Sequence, residues 1–263
     1  LGKRVKDKLL VPKKNSQIVP KHLVIIPDGN RRWARKRGWK PWVGHKKAAT
    51  LEKMRALYDY AGNIGIKHLS FWAFSTENWN RDKEEIKGIF DIFLENVDAL
   101  QKDLKEKNIR FRHLGRRDRL PKDLIKAMDE LAELSKNNSG LNLQLCLDYG
   151  GRDDIVRAFN VIQKENIKNI TEETISEYLD THDIPDPDLI IRTAGEKRLS
   201  GIMPYQAVYA ELYFTDTLYP DFSPVHLERA LLEYSARVRR FGGTAKEDLK
   251  NINPDKLLDI KVS

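Results

Sequence analysis

A single cysteine, Cys146, sits in a chain of 263 residues. It lies inside the apolar run Leu141–Leu147, so no internal disulfide and no cysteine-rich metal site can form, which suits a reducing cytoplasm. Long hydrophobic runs are also missing. No stretch approaches the roughly 18 to 20 apolar residues of a membrane-crossing helix, and the N-terminus has no apolar region of the signal-peptide kind. The expectation is a cytoplasmic chain, soluble or peripheral at a membrane. Internal repeats, low-complexity segments, zinc-ligand spacings and basic-aromatic RNA motifs are absent as well, which leaves one sizeable α/β core as the expected architecture.

What is abundant is positive charge: 47 Lys+Arg stand against 39 Asp+Glu, a formal net charge of +8. That balance suits nucleic acid, an anionic membrane surface or a phosphorylated small substrate, and does not choose among them. Residues 1–20 mix Lys3, Arg4, Lys6, Lys8, Lys13 and Lys14 with Leu9, Leu10 and Val11. They read as a loose arm or short surface helix, or as a segment drawn to a membrane.

From Leu23 onward, short β-rich runs alternate with helical patterns, which predicts a central, mostly parallel six-stranded sheet flanked by helices. The runs are Leu23–Ile26, His68–Phe74, Ile109–Leu114, Leu141–Leu147, Leu189–Arg192 and Leu212–Phe214. Apolar residues at three- and four-residue spacing predict one strong helix over 86–104, with Asp82 as N-cap and Glu85 at N3. Further helices are expected near 45–64, 121–136, 152–165, 171–180 and 224–240, the last entered by Ser223 and Pro224. The expected organisation is a basic arm over 1–21, one domain over 22–244 and a tail over 245–263.

In open α/β sheets, ligands collect beyond the carboxyl ends of the strands. After the first run come Pro27, Asp28, Gly29, Asn30, Arg31, Arg32 and Trp33. A carboxylate, a permissive glycine, an amide and two guanidiniums there can hold a magnesium-bound phosphate, or they form only a charged turn. After the second run, Ser75, Thr76, Glu77, Asn78, Trp79, Asn80 and Arg81 crowd polar groups between aromatics, as where an apolar tail meets a polar reacting head; helix capping beside a packed tryptophan is the alternative. After the fifth run, Arg192, Arg198 and Ser200 can converge on a diphosphate, or belong to a solvated basic loop. Glu211 opens the last apolar run, where a carboxylate needs a partner: magnesium, or, slightly favoured, a nearby arginine.

Taken together and in order, these segments resemble the cis-prenyltransferase family, which includes the undecaprenyl diphosphate synthases. The resemblance spans roughly residues 22–244 and also takes in Gly44-His45, Tyr149–Arg152, Tyr209–Phe214 and Arg237–Thr244. It implies an Mg2+-dependent enzyme that condenses isopentenyl diphosphate with an allylic prenyl diphosphate, farnesyl or geranylgeranyl, into a Z-polyprenyl diphosphate held in an apolar tunnel. By the same resemblance Asp28 is the essential aspartate, with Gly29, Asn30, Arg31, Arg32, Trp33 and His45 around the allylic diphosphate. Asn78 and Ser75 position isopentenyl diphosphate and its proton, with Thr76, Glu77, Trp79 and Arg81 completing that loop. Arg192, Arg198, Leu199 and Ser200 bind isopentenyl diphosphate. Glu211 is a second magnesium carboxylate, supplied in some members by a partner subunit. The segment Arg237–Gly243 resembles a dimer motif, so a homodimer is expected, with Arg239 or Arg240 reaching a neighbouring site.

The pattern departs from the family in four places. Arg31 replaces a glycine common in bacterial members. Pro41 takes the place of a phosphate-binding arginine, for which Lys40 stands in. Ala194 replaces a glycine or serine, a small-for-small exchange expected to be tolerated. The stretch Gly201–Tyr205 differs from the usual Asn-Phe-Leu-x-Trp. A non-catalytic subunit is disfavoured because Asp28, Arg32, Arg192, Arg198 and Glu211 are all present, and nucleic-acid binding has only the net charge behind it. A trans-prenyltransferase is disfavoured by the lack of an Asp-Asp-x-x-Asp pair. Irregular coupling of prenyl units stays open. Small Ala73 at the end of the second strand leaves room for a growing product, which Phe90 and Phe93 would limit.

Overall fold

The computed structural model describes residues 18–48 and 50–237. The basic segment up to residue 17, Arg239, Arg240 and the tail over 245–263 lie outside the described residues. Six strands form, β1 (His22–Ile26), β2 (His68–Ser75), β3 (Arg110–Leu114), β4 (Asn142–Tyr149), β5 (Leu189–Arg192) and β6 (Glu211–Phe214). They make one sheet in the order β3-β4-β2-β1-β5-β6, and every pairing is parallel. A parallel sheet needs both faces covered, which is why β1 and β5 in its interior are nearly all apolar, whereas the edge strand β3 carries Arg110, Arg112 and His113. Leu23, Ile25, Leu69, Phe71, Leu143 and Ile191 join the larger core on one face. Val24, Ile26, Trp72, Cys146 and Ile190 pack with Ile202 and Met203 on the other.

The helices are α1 (Asn30–Arg35), α2 (Pro41–Ala48), α3 (Leu51–Ile64), α4 (Lys83–Glu95), α5 (Val97–Glu106), α6 (Lys122–Ser135), α7 (Gly151–Lys164), α8 (Glu172–Tyr178) and α9 (Pro224–Ala236). Two expected helices are each split in the structure. The pattern over 86–104 breaks at Asn96, whose side-chain amide donates to the Ile92 carbonyl at 2.6 Å and takes up an acceptor at the end of α4. The pattern over 45–64 becomes α2 and α3 because Thr50 starts a new helix, its hydroxyl accepting from the Lys53 N–H at 3.4 Å. Pro41 is the first residue of α2, a position where its missing N–H has no cost. Periodicity misses α1, which is only six residues long.

β1 is the strand at which the order reverses: β2 and then β4 lie to one side of it, β5 and β6 to the other. Ile26 and Arg192 are partners across β1 and β5. The segment that follows β1 therefore meets the end of β5 at the switch point, where open α/β sheets form their clefts.

Candidate active site

Asp28 and Arg192 meet at that switch point. Asp28 Oδ2 accepts from Arg192 Nη2 at 2.9 Å, and Asp28 Oδ1 accepts from the Gly29 N–H at 2.6 Å. The other arm of the Arg192 fork donates to Ser200 Oγ at 2.7 Å and to the Arg198 carbonyl at 2.5 Å. The Arg192 side chain is only 6% exposed, and its buried Nε has no hydrogen-bond partner. The backbone is set for this. Gly29 has φ 99, and a Cβ there would lie 2.8 Å from both Ala194 Cβ and Leu218 Cδ2. Thr193 Oγ1 donates to the Asp28 carbonyl at 2.7 Å and accepts from the Asp28 N–H at 2.8 Å, tying the two strand ends together.

The opposite side of the cleft is built from helices. Gly44 lets α2 lie on α1, since a Cβ would come within 1.9 Å of the Asn30 carbonyl oxygen. This close approach brings His45 near Asn30, whose amide donates to the Pro27 carbonyl at 3.2 Å and lies 3.4 Å from His45 Nδ1. Asn30 Oδ1 is buried without a partner. Glu85 lies beneath these groups, its side chain 7% exposed. It contacts His45 Nε2 at 3.1 Å, Arg81 Nη1 at 3.2 Å and Arg31 Nε at 3.7 Å. The hydrogen bond from His45, reinforced by Arg81 and Arg31, holds the Glu85 carboxyl below its ordinary range despite burial. Burial draws the Arg81 guanidinium down, and Glu85 opposes that shift.

Glu85 thus does not cap α4 as expected. Asp82 occupies the N-cap without a side-chain bond, and Glu85 turns inward. Sequence reasoning missed this residue because a glutamate three places after an aspartate fits a capping pattern equally well. It also missed Asp148, fully buried at the end of β4. Asp148 accepts from Trp79 Nε1 at 2.9 Å and from Arg119, and so anchors the loop that follows β2. The available signal was position: like Asp28, it is a carboxylate at the carboxyl end of an apolar run.

Between the two sides lies a polar cleft of about 370 Å³, lined among others by Asp28, Asn30, His45, Ser75, Glu77, Asn78, Arg81, Arg192 and Ser200. A second cavity, apolar and about 160 Å³, shares Pro27, Asn30, His45 and Ala73 with it. From Ala73 the second cavity runs past Phe71 to Leu143, Phe111 and Leu100. Leu143 pairs with Leu69, four residues before Ala73, so the cavity follows the strands for roughly 13 Å. Ile89, Ile92, Phe93 and Asn96 form its helical wall. Phe90 is not in that wall; it is packed against Phe74 and Trp79 in the core.

Several expected site residues stand apart from the cleft. The Arg198 side chain is 61% exposed and pairs with Glu196 at 2.5 Å. Arg32 donates to the Ala194 carbonyl at 2.7 Å and lies 3.3 Å from Glu196. Trp33 is buried, donating to Asp221 at 2.8 Å under the Arg37 guanidinium. Gly29, Arg31, Thr76, Trp79 and Leu199 are next to cleft residues without lining it, and Lys40 is exposed just before α2. Glu211 pairs with Arg237 at 2.9 Å, the partner that its environment slightly favoured. It starts β6 opposite Leu189, whereas Asp28 follows the strand ends at Ile26 and Arg192. At roughly 3.3 Å per residue and about 4.8 Å per strand, the two carboxylates are on the order of 15–20 Å apart. One chain does not bring them to one ion, and no group of three or more His, Cys, Asp or Glu suited to a metal occurs among the described residues. Asp28 nevertheless fits magnesium in another way. Its carboxylate is 33% exposed at the cleft, and magnesium is often held by one carboxylate together with substrate phosphates.

A family model described as "Putative undecaprenyl diphosphate synthase" matches residues 26–242. The chain belongs to this family. An isoprenyl transferase of Aquifex aeolicus is 46% identical over 229 residues, covering 87% of this chain and 98% of that one. An isoprenyl transferase of Fusobacterium nucleatum is 44% identical over 225 residues, covering 86% and 96%. Among solved structures, a lavandulyl diphosphate synthase from Lavandula x intermedia in complex with dimethylallyl diphosphate superposes with a TM-score of 0.80 at 36% identity. It covers 85% of this chain and 98% of its own. A probable undecaprenyl diphosphate synthase from Campylobacter jejuni gives 0.73 at 31% identity, with the same coverage. As an isoprenyl transferase, the chain carries its polar residues where the parallel sheet of this fold ends. The resemblance in its sequence, its fold class and its standing as a prenyl transferase are established together.

Proposed function

We propose that this isoprenyl transferase condenses isopentenyl diphosphate with an allylic diphosphate, farnesyl or geranylgeranyl, to give a Z-polyprenyl diphosphate. The observation that carries this reading is the junction of the two cavities: a cleft of guanidiniums, amides and the carboxylates of Asp28 and Glu77 opens at Ala73 into an elongated apolar space. A diphosphate head fits the first and a growing prenyl chain fits the second, which makes the second cavity the product tunnel.

In this reading Asn30, His45 and Arg81 hold the allylic diphosphate, with Arg31 steadied behind them by Glu85. Arg192 and Ser200 hold isopentenyl diphosphate, and Asp28 lies between the two heads. Asp28, together with the substrate phosphates, would hold magnesium, which would offset negative charge on the departing pyrophosphate. As the allylic C–O bond breaks, fixed donors stabilise the charge on the leaving oxygens. The double bond of isopentenyl diphosphate attacks the cationic allylic carbon, and loss of a proton restores an alkene. Asn78 Oδ1 is engaged by the Ser75 N–H at 3.0 Å, so these two residues orient the acceptor, and a diphosphate oxygen is the better base. Glu211 and Arg237, far from Asp28 of their own chain, suit service to a partner's site in a homodimer. Irregular coupling is the second reading, favoured by the likeness to the lavandulyl enzyme. The length of the apolar cavity speaks for elongation.

The test is incubation with labelled isopentenyl diphosphate, farnesyl or geranylgeranyl diphosphate and magnesium, followed by chromatography of dephosphorylated products, with Asp28→Ala as control. A magnesium-dependent ladder of polyprenols, lost in the variant, is expected. A single branched product would move the assignment to irregular coupling, and no product with either primer would overturn it.

A further inference from the structure

We infer that the α1–α2 hairpin docks this protein on an anionic lipid bilayer through Trp39, Trp42 and the cations around them. From Gly29 to Leu51 the sequence has eight lysines and arginines and no aspartate or glutamate, so this one hairpin carries as much charge as the net +8 of the whole chain. It also holds three of the five tryptophans. Trp33 is buried, but Trp39 is 45% exposed and Trp42 is 42% exposed. An indole ring in water leaves apolar surface unburied, whereas at a headgroup boundary both its ring and its N–H are satisfied.

The cations divide into two sets. Arg31, Arg32, Arg37 and Lys46 have acidic partners. Arg35, Lys36, Lys40 and Lys47 are exposed and make no ion pair among the described residues. Four free cations beside two exposed tryptophans match an anionic interface in both charge and polarity. The hairpin also adjoins the apolar cavity, to which its last residue Ala48 and Leu51 at the start of α3 contribute. A bilayer is the partner that can take an apolar chain from that cavity. A nucleic acid would use the cations and stack on the rings but has no use for the space behind them. The docking stands on the surface itself; the delivery of a prenyl chain rests on the proposed function.

The test uses the full chain and phosphatidylcholine vesicles with or without phosphatidylglycerol, read by co-sedimentation and by tryptophan emission. Two double variants, Trp39→Ser with Trp42→Ser and Lys36→Glu with Lys47→Glu, are compared with the parent after their melting temperatures are shown to match it. The parent is expected to bind only the anionic vesicles, with a blue shift that added salt reverses. Each double variant should lose roughly tenfold or more in binding while keeping turnover on detergent-dispersed substrates. Undiminished binding by both variants, equal binding to neutral vesicles, or binding to single-stranded RNA in place of vesicles would each overturn the inference. Vesicle binding requires no turnover, so it can fail while prenyl transfer stands, and the reverse.

Discussion

The two sides of the cleft are built on different principles. On the strand side, Asp28, Arg192 and Ser200 are fixed by backbone: the neighbouring parallel strands β1 and β5 in register, Thr193 bridging them, and left-handed residues at Gly29, Ala194 and Ser200. On the helix side, His45, Arg81 and Arg31 come from three separate segments and share one buried carboxylate, Glu85. The strand side therefore has its geometry before any ligand arrives, while the helix side is only as ordered as one charge network keeps it. A lesion on the strand side should remove a binding group outright. A lesion at Glu85 should loosen several groups together.

The largest effect is expected at Arg192. Its fork joins Asp28 and Ser200 from a nearly buried position, and its orphaned Nε leaves capacity for a phosphate oxygen. Arg192→Ala should lower kcat by roughly 10²- to 10³-fold, the scale for losing one preorganised donor to developing charge. Arg192→Lys keeps the charge and loses the planar fork, so it should recover only a small part in steady-state assays. Full recovery would show that charge alone matters on this side.

Glu85 comes next. Replacing it by Gln preserves shape but removes the charge that His45, Arg81 and Arg31 share. Hydrogen bonds to charged groups are worth about 1.5–3 kcal/mol, so kcat/KM for the allylic substrate should fall roughly 10- to 100-fold, with KM for isopentenyl diphosphate little changed. The folded carboxyl titrates below its ordinary value, so its contribution is complete above the unfolded pKa and is lost as pH falls through the folded one. The parent should therefore weaken toward acid pH in its allylic KM, and Glu85→Gln should show less of that dependence. Equal losses for both substrates would mean that Glu85 supports the whole cleft and not one side of it.

This contrast also explains what could be read in advance. The six strands, their parallel arrangement and the placement of polar clusters at strand ends were legible because apolar runs and their sequels are local patterns. Asp28, Arg192 and Ser200 follow from the same logic. Glu85 was not legible, because it acts through burial on residues distant in the sequence, which a linear pattern does not record; Asp148 offered only its position near the end of β4. The splits at Asn96 and Thr50 were missed because an apolar stripe continues across a break in backbone hydrogen bonding. Arg198 and Trp79 were expected in the cleft, and both spend their polar groups elsewhere, on Glu196 and Asp148.

Ala73 lies at the seam between the sides, lining both the polar cleft and the apolar cavity. Ala73→Leu adds volume where a prenyl chain would pass from one space to the other. Shorter polyprenols on reversed-phase chromatography are the expected result, at a turnover within severalfold of the parent. An unchanged product distribution would place the growing chain on another route.

The smallest effect concerns the strand side's own backbone. Ala194 exceeds a glycine by only one methyl group, and in that sense the exchange is mild, yet its φ is 72. A Cβ in the left-handed region costs roughly 1–2 kcal/mol, and relieving it with glycine is partly offset by the greater backbone freedom that glycine loses on folding. Ala194→Gly should therefore raise stability by about 0.5–1 kcal/mol in urea unfolding, while the Ala194 carbonyl continues to accept from Arg32. If the strand side is preorganised as its bonding indicates, kcat should not change with the added stability. A fall in kcat on relieving this strain would instead mean that the backbone tension at Ala194 helps to hold Arg192 and Asp28 in place, and the line between a rigid strand side and a charge-ordered helix side would have to be redrawn.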